Sequence, residues 1–331
     1  MTVTQGIDHR LLPLTRSQAS LIIKNGILVF TKDQSNLSKI YEPEDIDICQ
    51  VRPPELSNNM QDIYNIRLKE AFPNDLKRNG GLIGLSRPET RGKLILPLYP
   101  TSFSMFKCTL PWNDIYDPQL EPGLMHIPFT IDHVVITQDN HFIFYKRKDN
   151  RATWKNCFGA PFNFRHDFDK DFGSETVLHE LTHGDTLYDQ ARDGIVRELN
   201  PYKPGIDSKH SDTLLEQIID SDEVQVKAIT SLTLHADTYD CSWHSGSFSI
   251  ILIDAGEYLE KRNEHDFTAG RPEKFYSVEY TPDNMIRFLN ENQGTNDGNK
   301  LATTFEGSII MACVQSFGTD FLKKLNYEVS F

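Results

Sequence analysis

His133-Val-Val-Ile-Thr-Gln-Asp-Asn-His-Phe-Ile-Phe-Tyr145 is followed by Phe158-Gly-Ala-Pro161 and then by Asp189-Gln-Ala-Arg-Asp-Gly-Ile-Val-Arg-Glu-Leu199. The order of these pieces decides the fold class. In the first, two β-rich arms flank Gln138-Asp139-Asn140, and Asp and Asn tolerate the backbone angles of a tight turn, so a hairpin is expected. The last piece reads as a helix. Downstream, the apolar runs Ile229–Leu234 and Phe248–Ile253 predict further strands. Thr281-Pro282 is a helix start, a hydroxyl cap with proline at the first helical position. A final helix is expected to carry Phe305, Ile309, Cys313, Phe317, Phe321 and Leu325 as core. The whole predicts an α+β fold, a mixed sheet flanked by helices, from about residue 126 to 331.

Upstream, residues 1–125 read as a smaller β-rich region. Leu21–Phe30 forms two arms about Lys24-Asn25-Gly26, a hairpin signal. Residues 41–54 are acidic and proline-containing and read as loop. Leu56, Met60, Ile63, Tyr64 and Leu68 keep helical spacing until Pro73 ends the ladder. Arg91–Tyr99 predicts a strand, and Pro97 places it at a sheet edge. Trp112–Gly123 is loop and holds the expected boundary. Between the halves of the later sheet, Ser211 and Asp212 predict a short helix bearing Leu214, Leu215, Ile218 and Ile219.

A formal net charge of −13 over 331 residues argues against duplex nucleic acid or an anionic membrane as the main partner, since both demand a basic face. Five cysteines without a C-x-x-C pair suit a reducing compartment. With no leader-like segment and no run of about 18 apolar residues, a cytoplasmic protein is expected.

Residues 130–199 resemble the start of a Nudix hydrolase domain, in which a strand pair and a glycine segment lead into a loop-helix signature. Arg197-Glu198-Leu199 match the core of that signature, and Phe158-Gly-Ala-Pro161 resembles the glycine segment. Counting back from Arg197 puts Asp189 at the first glutamate; counting forward puts Pro201 and Tyr202 where a Glu-Glu pair stands in the family. The resemblance implies a nucleotide or nucleoside-diphosphate-linked small molecule as ligand, with Mg²⁺ or Mn²⁺. It points to Glu198, Arg197 and Asp189 for catalysis. A rebuilt metal site would join Glu198 to an acid from elsewhere, such as Asp185, Asp189 or Glu175, and the ligand is expected at Gly159 and at the basic Lys146 and Arg147. Such carboxylates hold a metal that polarises the diphosphate and activates water. Losing the pair at 201 and 202 opens a second reading, a Nudix-fold sensor or interaction module without catalysis.

Helical geometry divides roles further. Asp189, Asp193 and Arg197 form a four-residue ladder on one face, while Glu198 lies in line with Leu187, Ala191 and Gly194. Lys146-Arg147-Lys148 closes the hairpin with positive charge, suited to a solvated strand end or a phosphate. His179-Glu180-Leu181-Thr182-His183 spells a zinc-protease motif, in which His179 and His183 would bind Zn²⁺ and Glu180 activate water. A metallopeptidase is therefore a third reading, although Gly184-Asp185 would stop the helix the motif needs. The remaining histidines, His133, His141, His166, His235 and His244, form no spacing that assigns them, and no serine nucleophile elbow is present.

Overall fold

The expected hairpins form, and they share one sheet. In a computed structural model that describes residues 18–23, 27–56, 58–71, 81–109, 126–146, 158–159, 162–163, 181, 184–203, 213–214, 217–236, 241–269, 274–293, 301–326 and 329–330, β1 (Leu21–Ile23) and β2 (Ile27–Phe30) pair antiparallel. Next come β3 (Ile46–Gln50), α1 (Asn58–Ala71), β4 (Gly81–Leu85), β5 (Leu94–Ser102) and α2 (Phe103–Thr109). The second hairpin is β6 (Phe129–Thr137) with β7 (His141–Lys146), turned at Asn140 with φ 64°. Two short strands follow, β8 (Phe158–Gly159) and β9 (Phe162–Asn163), and then α3 (Leu187–Leu199).

After α3, β10 (Tyr202–Lys203) and β11 (Thr213–Leu214) pair with each other. The long hairpin β12 (Val224–Ala236) and β13 (Cys241–Ile251) leads to α4 (Ala255–Ala269) and β14 (Phe275–Glu279). The chain continues through α5 (Pro282–Glu291), α6 (Thr303–Phe317) and β15 (Val329–Ser330). The large sheet has ten strands in the order β14-β7-β6-β13-β12-β2-β1-β15, with β8 on β7 and β9 on β6. It is mixed, because β6 and β13 run parallel while the other pairs are antiparallel. Strands β1 and β2 thus join the sheet of the later half, across the boundary expected near residue 125.

Both faces of this sheet are covered, so β2 and the middle of β7 are apolar on both sides rather than alternating. All nine residues of β6 are buried. On one face Val29, Val134, Ile136, Phe142 and Phe144 pack against Phe305, Ile309 and Val314 of α6 and Met285 and Leu289 of α5. On the other, Phe30, Ile131, Leu232 and Trp243 meet the three-stranded sheet β3-β5-β4 through Leu82, Leu94 and Leu96, with Leu187 and Ala191 of α3. Farther along, Ile195 and Leu199 of α3 cover Val135, Ile143 and Ile251. Each such buried aliphatic contributes about 1.5–3 kcal/mol.

Four expectations change. Residues 46–50 are not loop but β3, held by parallel pairing with β5. β5 is the central strand of its sheet, not an edge. Its prolines are tolerated because Pro97 falls just past the last β4 pair, Leu85–Leu98, and Pro100 past the last β3 pair, Gln50–Leu98. There the missing N–H removes no ladder bond. The helix expected after Ser211 is absent among the described residues: Thr213–Leu214 is strand, and the backbone N–H groups of Ile218 and Ile219 bond the Asn200 side chain at 2.6 and 3.0 Å. The last helix stops at Gly318, whose φ of 81° breaks the ladder before a separate 3-10 turn over Thr319–Lys324. Among the described residues no helix is long and apolar enough to cross a membrane.

Candidate functional site

α3 begins with a capping box. Thr186 Oγ1 accepts from Asp189 N at 3.2 Å, and the Asp189 carboxylate accepts from Thr186 N at 3.0 Å. The Thr186 hydroxyl also donates to that carboxylate at 2.7 Å, and Arg192 Nη1 donates at 3.1 Å. These bonds, the Thr186 hydroxyl's above all, hold the Asp189 carboxyl below the usual carboxylate range. Asp189 therefore serves the helix start, and its pairing is with Arg192. Asp185 accepts from Gln190 Nε2 at 3.1 Å. The helix ends as Pro201 implies: Asn200 is extended, and its side chain bonds Val196 O and Ile219 O at 2.8 and 2.7 Å.

Between its ends, α3 buries Leu187, Gln190, Ala191, Gly194, Ile195 and Leu199 and leaves Arg197 and Glu198 half-buried. Tyr188 fastens it laterally, donating to Tyr41 O at 2.6 Å and accepting from Ile229 N at 3.2 Å, and burial pushes its hydroxyl up to about 12. Glu198 thus stands at the margin of the buried stripe. Asp185 lies before the opposite end, about 20 Å away along the axis at about 1.5 Å per residue. Glu198, Asp185 and Asp189 do not converge, so these residues do not fit one Mg²⁺ or Mn²⁺ site. Among the described residues no group of three or more His, Cys, Asp or Glu is placed to hold a metal ion.

Lys146 ends β7, half-buried, with its N–H on Lys274 O at 3.1 Å, and Gly159 is buried opposite Tyr145. Arg147, Glu175, His179, Glu180 and His183 lie outside the described residues, so the zinc motif and most of the basic strand end do too.

Beneath the helices, β6 and β13 are polar where a doubly covered sheet is normally apolar. On the α3 face, His133 is fully buried and its register partner is Ser247, with Ser245 and Ser249 on either side. Ser247 Oγ donates to Asp132 O at 3.3 Å, so His133 Nδ1 is the donor in its 2.9 Å bond to Ser247 Oγ. Burial, and next the nearby Arg197 charge, push His133 down to about 3. It is a neutral imidazole.

On the α6 face, Asp132 is 3% exposed and joins two elements: His244 Nδ1 donates to Oδ1 at 3.0 Å and Ser308 Oγ to Oδ2 at 3.1 Å. With Nδ1 on Asp132, the other ring nitrogen of His244, Nε2, faces the Ser242 hydroxyl 2.6 Å away. The geometry depends on close approach of α6. A Cβ on Gly246 would lie 2.8 Å from Thr230 Oγ1 and 3.3 Å from Ser308 Oγ, and one on Gly307 would lie 3.0 Å from Thr233 Cγ2. Glycine at both positions lets Ser308 reach the sheet.

Compared with models of known families and with curated proteins, the chain finds no match. The polar belt is the part that residue spacing misses. Its visible signals are an aspartate and a histidine interrupting the apolar run Phe129–Thr137, and the serine-rich strand Ser242–Ser249.

Proposed function

We propose that this protein is a Nudix-like module that recognises a nucleotide or nucleoside-diphosphate-linked small molecule, acting as a ligand sensor or interaction module. The observation that carries the reading is the placement of α3. The helix bearing Arg197-Glu198-Leu199 lies across a mixed sheet with its apolar stripe buried, Arg197 influencing a sheet histidine and Glu198 at the margin. The non-hydrolytic form is favoured over the hydrolase by the carboxylates. Asp189 is committed to the helix cap, Asp185 sits one helix length from Glu198, and Pro201 and Tyr202 follow it.

Calorimetric titration with nucleoside mono-, di- and triphosphates and a nucleotide sugar tests this, in Mg²⁺ and again in EDTA. Binding of one of these without turnover and indifferent to EDTA is the expected result. Lys146→Ala should weaken it by about tenfold, the scale of one charge-assisted hydrogen bond. No binding at millimolar ligand would end the reading. Turnover that needs Mg²⁺ and falls at least about a hundredfold in Glu198→Gln would restore the hydrolase.

A further inference from the structure

We propose that Ser242, His244 and Asp132 form a second, independent site, a nucleophilic relay for acyl transfer from small carboxylic esters. The three side chains supply the parts that such chemistry needs in the right sequence: a hydroxyl on one imidazole nitrogen at 2.6 Å, and a carboxylate on the other at 3.0 Å. A nucleophile in reach of a base, with the base oriented by a third group, is recognised by this geometry and not by order in the chain.

The strands create the arrangement. Ser242 and His244 are two residues apart on β13 and so share the α6 face. Parallel pairing of His244 with Thr130 brings Asp132, two residues on along β6, beside the ring. Ser308 holds the second carboxylate oxygen from α6.

Two observations favour chemistry over packing. First, a buried ionic and hydroxyl network gives a core little stability that apolar residues of similar volume could not supply. Secondly, the relay residues are not wholly sealed from solvent, unlike several of the hydroxyls around them. His244, Asp132 and Ser242 are 6%, 3% and 6% exposed, whereas Ser231, Thr233 and Ser245 are at 0%. All three groups are buried, so only a short acyl group could reach them.

In the reaction, Ser242 Oγ bonds the ester carbonyl carbon while its proton passes to His244 Nε2. Collapse breaks the carbon–oxygen bond to the alcohol, which leaves with that proton. Water then attacks the acyl-serine, giving its proton to Nε2, and the serine recovers a proton as the carboxylic acid departs. No electron transfer is involved. Ser242 and His244 are the catalytic residues, and Asp132 and Ser308 are positioning residues.

The test is covalent labelling of the full chain with a small fluorophosphonate, mapped by mass spectrometry and read as a rate. An adduct on Ser242 is expected, absent in Ser242→Ala and slowed at least about a hundredfold in His244→Gln. Asp132→Asn should slow labelling on a similar scale and displace the midpoint of its pH–rate profile, which a purely structural residue would not do. Unfolding midpoints of all three variants are measured alongside, and the wild-type result decides even if a variant fails to fold. A folded wild-type chain left unmodified at Ser242 overturns the proposal. So does labelling that proceeds equally fast in a folded His244→Gln.

Discussion

The two faces of β13 solve the same problem in opposite ways. Toward α6, Ser242 and His244 are drawn into a chain ending on a carboxylate that spans sheet and helix. Toward α3, Ser245, Ser247 and Ser249 surround a histidine that burial keeps neutral, and only Ser247 among them bonds it. One face concentrates charge and organises donors around it; the other removes charge and tolerates weak bonding. Burying a polar group is costly unless it is bonded, and burying a charge is far more so. The faces should therefore differ sharply in what a single deletion does.

The largest effect is expected at Asp132. Asp132→Ala strands the imidazole and the Ser308 hydroxyl in the core and should cost about 3–5 kcal/mol in urea unfolding. Ser247→Ala, on the opposite face, should cost about 1 kcal/mol. Equal losses would erase the contrast.

Acid should act through the α3 face. Unfolded His133 takes a proton below about pH 6.5, whereas the folded chain refuses it until about pH 3. The unfolded state binds more protons in that window, so stability falls as pH drops through it, by about 1.4 kcal/mol per unit. Between pH 7 and pH 5 this contributes about 2 kcal/mol, and His133→Gln should remove that share of the slope. An unchanged slope would place the acid sensitivity elsewhere.

Smaller effects sharpen the boundary between the faces. Gly246→Ala pushes a methyl into Thr230 and Ser308 and should cost about 1–3 kcal/mol through overpacking, visible as a lower melting temperature. Thr186→Ala removes the α3 cap and should cost about 1 kcal/mol. It should leave nucleotide affinity as it was, since Asp189 serves the helix start; a lost affinity would give that carboxylate a ligand role.

Local signals were legible and long-range ones were not. Asn140 turns the β6–β7 hairpin, and Thr281 caps α5 by accepting from Asn284 N at 3.4 Å, because turn and cap chemistry act over a few residues. Strand β3 is hidden behind Glu42-Pro-Glu-Asp45, since its order comes from β5. Helix α4 escapes a search for an apolar stripe because Arg262 shares its described buried side with Ala255 and Tyr258, spending its guanidinium on Leu199 O and on the Phe275 ring. Helix α3 was legible in its residues, but not the bonds that commit Asp189 to the capping box. The relay was not legible at all, because His244 and Asp132 are 112 residues apart in sequence and meet only through a parallel register.

Strand pairing also sets when the sheet can be completed. Phe30 meets Leu232, and Ile22 meets Ser330, so β1 and β2 pair only with each other until residues made much later arrive. Each of these ladders closes a long loop whose entropy is lost before pairing returns any energy. During synthesis, Ile27-Leu-Val-Phe30 therefore presents an open, apolar strand edge for most of the chain's emergence, a template for pairing between nascent copies. Until pairing is complete, β12 and a neighbouring molecule would compete for the same edge.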